Sequence, residues 1–226
     1  LRYHEVDYDR TQLTDKMVAL ERELDDELAP FSGKFQPVAE VQLALNFPHW
    51  RAGTLPLSGR VRHIFPTAYE APRIRIMLVD GETREKFPGW VVRSQRYVYG
   101  LAEWYQKKGI IPGSLIRVRR GAQPGEVIVQ VDSRRSSREW VRTVLVGSDG
   151  GVVFVMLKQP VSTTYDERMT IAVPDPDALE QVWHTVQKDR IPFEKTVVSM
   201  VRELAKLNPQ SHVHASELYA AVNTVR

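Results

Sequence analysis

Between Gly53 and Asp132 the chain has no room for long helices, because turn signals interrupt it too often. Asp80-Gly81 and Pro112-Gly113 are turn dipeptides, and Gly109 suits a helix C-terminus. The apolar residues between them come in short runs. RIRIMLVD sets Ile74, Ile76 and Leu78 against Arg73, Arg75 and Met77. That two-residue period is a strand with one apolar face and one largely cationic face. Similar runs predict strands at 54–57, 60–65, 73–79, 90–93, 97–99, 115–119 and 127–131, and LAEWYQKKG is the one short helix among them. Short strands around a single helix predict a small barrel or sandwich.

The flanks read differently. Residues 11–28 place Leu13, Met17, Leu20, Leu24 and Leu28 on one stripe, with Glu21, Glu23, Asp25 and Asp26 opposite. This predicts an acidic amphipathic helix that packs on a neighbour or enters a coiled coil. VAEVQLALNF fits a strand or a short helix equally well. WVRTVLVG and GVVFVMLKQP flank Ser148-Asp149-Gly150-Gly151, which predicts a hairpin. Their nearly continuous apolar character predicts burial on both faces or cover by a helix. Pro174-Asp175-Pro176-Asp177 opens a helix, ALEQVWHTVQKD, with Asp177 expected as its cap. Val197, Val198, Val201, Leu204 and Leu207 stripe a further helix ended by Asn208-Pro209, and a last helix is expected to cap near Ala215 or Ser216. The expected organisation is an acidic helix and connector (1–52), a barrel (53–139), a hairpin plus helix (140–190) and a helix-turn-helix fragment (191–226).

Charge is distributed unevenly. Residues 1–30 hold 9 acidic and 4 basic side chains, a net of −5, whereas residues 51–142 hold 18 basic and 8 acidic, a net of +10. A basic middle attracts polyanions through its summed field. Cysteine is absent, which excludes disulfides, thiolate metal sites and cysteine nucleophiles within this sequence. No apolar run approaches the roughly 18 residues of a membrane span, and no secretory leader pattern is visible, so a cytoplasmic location without membrane contact is expected. No phosphate-binding glycine loop, HExxH or GxSxG is present. His212 and His214 have no evident third metal ligand. The chain is therefore expected to be no enzyme, with no cofactor, no metal and no small-molecule substrate.

In MLVDGETREKFPGWVVRS, a strand, an Asp-Gly turn and a tryptophan-led strand follow one another. In RYVYGLAEWYQKKGIIPGSLIRVRR, a tyrosine strand, an aromatic helix, a glycine turn and a closing strand do so. This order resembles the B3-type DNA-binding pseudobarrel over residues 53–132, with TLPLSGRVRHIFP supplying the opening strands. Gly113-Ser114 stands where that family usually has Gly-Asp, and Trp104 is displaced from the family's Gly-Trp. VVSMVRELAKLNPQSHVHASELYAAVNTV resembles the first helices of a HARE-HTH winged helix. Together the resemblances imply an α+β chain with a B3-like barrel and a truncated helix-turn-helix, and a non-catalytic DNA-binding role.

The residues expected to meet DNA are arginine-rich, and the guanidinium fork suits phosphate and guanine edges. By the resemblance, the groove-entering arms lie near Arg60, Arg62 and His63 and at the turn from Arg93 to Arg96. Arg73, Arg75, Arg117, Arg119 and Arg120 would hold phosphates on one concave face, and Arg134 and Arg135 belong to a further cluster. The competing reading is a solvated basic face paired locally with Glu82, Glu85, Glu126 and Glu139. Trp90, Tyr97, Tyr99, Trp104 and Tyr105 offer stacking surfaces, although their spacing fits barrel core better. A protein- or RNA-binding module and the specificity domain of a restriction or repair system are the alternatives, and the acidic helix is a candidate for contact with a protein partner.

Overall fold

The computed structural model describes residues 38–66 and 71–226. The predicted acidic helix at 11–28 lies outside them. A seven-stranded mixed sheet curls around one apolar core, with strand order β1-β6-β7-β3-β4-β5-β2. Its strands are β1 (Glu40–Ala44), β2 (Thr54–Pro56), β3 (Ile74–Asp80), β4 (Lys86–Val92), β5 (Tyr97–Tyr99), β6 (Leu115–Arg120) and β7 (Glu126–Val131). All neighbours are antiparallel except β3 and β7, which run parallel. β1 and β2 are the two edges, so the curl is an open half-barrel.

Alternation sets what faces inward. Val41, Leu43, Ile76, Leu78, Val91, Val98, Ile116 and Val118 are buried, and of their chain neighbours within these strands only Val79 is buried as well. Helix α1 (Phe47–Ala52) joins β1 to β2, and helix α2 (Ala102–Lys108) follows β5. Leu101, Trp104 and Tyr105 fill the hollow of the sheet. Burial raises the Tyr105 phenol well above its usual range, and its hydroxyl donates to Thr54 O at 2.7 Å. Gly53 makes the approach of α1 to α2 possible: its φ is +64°, and a Cβ there would stand 2.5 Å from Ala102 Cβ.

Two expectations change here. The predicted strand at 60–65 is a run of turns, with Val61 and Arg62 amides bonding to Ser58 O and Ile64 to Val61 O. Val61, Ile64 and Phe65 are the buried residues, a three- and four-residue spacing that a strand cannot place on one face. The seventh strand comes instead from β1, in the stretch whose period left strand and helix open.

A second layer follows. β8 (Ser133–Val146) and β9 (Val152–Thr163) form a long hairpin, and helices α3 (Pro176–Lys188), α4 (Phe193–Ala205) and α5 (Ala215–Val225) cover part of it. Val144 and Phe154 pair across the hairpin and join Leu179, Met200, Leu204 and Ala221 in a separate core. The helices cover only one side near the tip: Leu145 and Val153, facing away, are 39% and 41% exposed. The apolar runs are thus buried neither on both faces nor along their whole length. Asp175, not Asp177, caps α3, accepting from Ala178 N at 2.9 Å. His214 caps α5, reciprocated by Glu217. Arg142 ties the hairpin to α5 through Glu217 at 2.7 Å. Burial lowers the Arg142 pKa below the usual arginine value, and Glu217 partly offsets this.

Candidate nucleic-acid interface

Strand direction sorts the connections of the half-barrel onto two ends. β3 and β7 run parallel, and β4 and β6 return against them. The β2–β3 connection, the β4–β5 turn and the β6–β7 turn therefore all lie at one end, where β1 also begins. The β3–β4 turn and the exit of β7 lie at the other.

The first end collects arginine. Arg60, Arg62 and His63 stand on the β2–β3 connection, and Arg73 and Arg75 at the start of β3. Arg93 and Arg96 flank the β4–β5 turn, and Arg119 and Arg120 end β6. The described carboxylates there are Glu40, 3.6 Å from Arg119, and Glu126, held at 2.5 Å by Lys86. The two arms singled out from the sequence adjoin. The Arg93 guanidinium donates to Pro66 O at 2.9 Å, Phe65 O at 3.0 Å and Arg62 O at 3.3 Å. Arg120 donates to His63 O from the other side, and Leu57 N donates to Arg96 O at 2.8 Å. His63 Nε2 meets Val38 O at 2.9 Å. These carbonyls hold the Arg93 and Arg120 guanidiniums in place. The side chains of Arg62, Arg73 and Arg75 are exposed and make no hydrogen bond or ion pair with another described residue. Arg60 and Arg96 are exposed and have contacts of their own.

The remaining candidates lie elsewhere. Arg117 sits on the outer face of β6 between Asp132 and Glu40, the latter at 3.8 Å. Arg134 lies over the Tyr165 ring at 4.9 Å and 3.8 Å from Glu139. Arg134 and the exposed Arg135 are on the first residues of β8, beyond the opposite end. The concave face holds no arginine array, because the apolar core fills it. The arginines occupy the rim and the outer face.

The second end is compensated. Lys108 reaches Asp80 at 3.0 Å and Glu82 at 2.6 Å, and Lys107 pairs with Glu85. Asp80 also accepts from Trp104 Nε1 at 2.8 Å and from the Glu82 and Thr83 amides at 2.8 and 3.1 Å. Burial opposes ionisation of Asp80, but the bonds from Trp104, Thr83, Lys108 and Glu82 outweigh it and bring the pKa down to about 2. Three of the four glutamates expected to neutralise the arginine face, Glu82, Glu85 and Glu126, take lysines instead.

Beside the arginine end lies an aromatic surface. Trp104 and Tyr105 are core, as their spacing suggested, but Trp90, Tyr97 and Tyr99 are half-buried on the outer face. Val91 and Val98 take the inward positions, and WVV and YVY are apolar at every position, so their period does not say which residues turn in. Trp90 and Tyr99 stack with centroids 4.9 Å apart and planes 10° from parallel. Tyr97 and Tyr99 form one wall of a groove of about 1230 Å³. Phe47 and His49 of α1 and Trp183 of α3 line its other side. Arg51 holds Asp177 at 2.6 Å and Glu180 at 2.8 Å, and its hydrogen bond keeps the Glu180 carboxyl below the usual range.

Compared with known proteins, the chain matches no family model and no curated protein. Trp183 and the α1 residues of the groove carry no signal of their role in the sequence. Leu179, Val182, Trp183 and Val186 have the spacing of a core stripe, and only the packing of α3 leaves Trp183 40% exposed.

Proposed function

We propose that this chain is a non-catalytic DNA-binding module that grips phosphates with the arginine end of its half-barrel. The observation that carries the reading is the gathering of Arg60, Arg62, Arg73, Arg75, Arg93, Arg96, Arg119 and Arg120 at one end, against Glu40 and Glu126. The B3-like order of sequence features and the curled seven-stranded sheet support a barrel of that kind. The α4–α5 pair with its intervening break is in keeping with the start of a HARE-HTH-like winged helix. Exposed guanidiniums on strand ends and turns reach a phosphate backbone without deforming the barrel, and backbone contacts supply most non-specific affinity.

The test is fluorescence anisotropy on labelled duplex DNA from low to physiological salt. Arg62→Glu/Arg75→Glu is the informative variant, because neither side chain makes a polar contact with another described residue. Arg93 is unsuitable, since its loss would release the loop it holds. Wild type is expected to show log affinity falling steeply against log salt, and the variant to lose about 2 from that slope, near 0.9 per phosphate contact. A wild type that ignores DNA at low salt ends this reading.

A second reading has its own observation. The β8–β9 hairpin exposes Trp140 at 62%, Met156 at 42% and Leu157 at 37%, beyond the two residues at its tip. Exposed apolar groups concentrated on one element suit a protein-docking surface. Under it, Trp140→Glu abolishes a partner complex while DNA affinity is nil throughout.

A further inference from the structure

The groove beside the arginine end has a chemistry that phosphate binding does not use. Four aromatic side chains line it, Phe47, Tyr97, Tyr99 and Trp183. Tyr99 is backed by Trp90, and Tyr97 meets Tyr99 edge-on at 6.4 Å, so these rings are held in place rather than free to rotate into one another. Trp183 is 40% exposed and touches only His184 among the described rings, at 5.1 Å and 75°. The volume, about 1230 Å³, exceeds the roughly 300–1,000 Å³ of small-molecule pockets. It is a trough suited to a flat polymer segment.

Two features connect the trough to the proposed DNA grip. Ser94 and Gln95, which line it, are the residues between Arg93 and Arg96 in the β4–β5 turn. Arg73, also in the lining, is exposed and has no polar partner among the described residues. The carboxylate in the trough, Glu180, is already held by Arg51. A strand leaving the rim thus meets a cation, then aromatic faces, with its nearest anionic obstacle paired.

We propose that the trough takes unpaired bases of the DNA held at the arginine end, with Tyr97 and Trp183 as stacking faces and Arg73 on the adjoining phosphate. Stacking needs a π-face and no particular hydrogen-bond pattern, so the site selects unstacked bases rather than a sequence. This rests on the DNA reading and adds a preference for duplexes carrying bulged or single-stranded nucleotides.

The experiment compares a fully paired duplex with the same duplex carrying a bulge of unpaired bases, by anisotropy at fixed salt. Wild type is expected to bind the bulged probe about 10-fold more tightly. Trp183→Ala and Tyr97→Ala should each erase most of that preference and leave paired-duplex affinity unchanged. Trp183→Phe, which keeps a π-face, should retain it. Both side chains are partly exposed, so unchanged thermal unfolding is the expected control. Binding of both probes with equal affinity, or a preference that survives Trp183→Ala together with Tyr97→Ala, overturns the trough while leaving the rim intact. Failure of wild type to bind either probe overturns the DNA reading and the trough with it.

Discussion

The two ends of one half-barrel use their charges in opposite ways. At the β3–β4 turn three carboxylates take lysines: Asp80 and Glu82 share Lys108, and Glu85 takes Lys107. At the arginine end, Arg93 is held by backbone carbonyls, and Arg62, Arg73 and Arg75 stand exposed with no polar side-chain partner among the described residues. The first arrangement uses its charges on one another and stabilises the fold. In the second, the charges of Arg62, Arg73 and Arg75 act on whatever polyanion approaches. The net charge of +10 over residues 51–142 thus conceals two unlike ends, one of locally paired charges and one where Arg62, Arg73 and Arg75 have no polar side-chain partner among the described residues.

The largest expected effect separates the ends by function. Arg62→Glu/Arg73→Glu/Arg75→Glu should weaken duplex binding by more than about 100-fold at moderate salt, since each lost contact removes affinity across all sequences. Lys107→Ala at the other end should leave binding within about twofold, as expected for an exposed pair. Equal losses in the two variants, measured by anisotropy, would erase the distinction.

Next comes stability, where the ranking reverses. Asp80→Ala removes the acceptor of a buried indole, two amides and a lysine, and should cost about 3 kcal/mol in urea unfolding. Arg62→Ala should cost under about 0.5 kcal/mol. The pH dependence follows from the same carboxylate. Its folded pKa of about 2 is below the ordinary aspartate value of 3.8, so its stabilisation is present above pH 4 and is lost as pH falls toward 2. The loss amounts to about 2 kcal/mol, because each tenfold change in a protonation equilibrium is worth about 1.4 kcal/mol. Asp80→Asn should show a flatter acid limb, and an unchanged one would mean that another group carries the acid transition.

Much of the half-barrel was legible because its strands are short and bounded by turn residues; the inward faces of β3 and β6 follow directly from period two. The 60–65 segment misled because Arg-Val-Arg-His-Ile mimics alternation while Val61, Ile64 and Phe65 bury at helical-turn spacing. The arms at Arg60–His63 and Arg93–Arg96 were legible as basic turns, but not their contact, which depends on β2 and β4 both pairing with β5. Nor does sequence say which cations a glutamate will choose. Glu82 and Lys108 are 26 residues apart and meet because α2 ends over the β3–β4 turn. The trough was least visible, since its walls come from β5, α1 and α3, and no local pattern joins them.

The finest test of the comparison is Glu40. It is the described carboxylate at the arginine end that faces arginines, at 3.6 Å from Arg119 and 3.8 Å from Arg117. These distances are long for ion pairs, and Glu40 is 40% exposed on an edge strand, so the pairs contribute under about 1 kcal/mol to folding. Their effect on the field is different in kind. Glu40→Gln keeps the size and polarity of the side chain, returns a full positive charge to the rim, and releases the guanidinium of Arg119. If that end acts by its field, the variant should bind duplex DNA about two- to threefold more tightly at low salt and gain nothing at high salt, where screening shortens the reach of a single charge to a few ångströms. A gain that persists at high salt would mean Glu40 blocks a contact sterically. No gain at any salt would mean that DNA does not approach β1, and would confine the grip to the side of the rim formed by the β2–β3 connection and the β4–β5 turn.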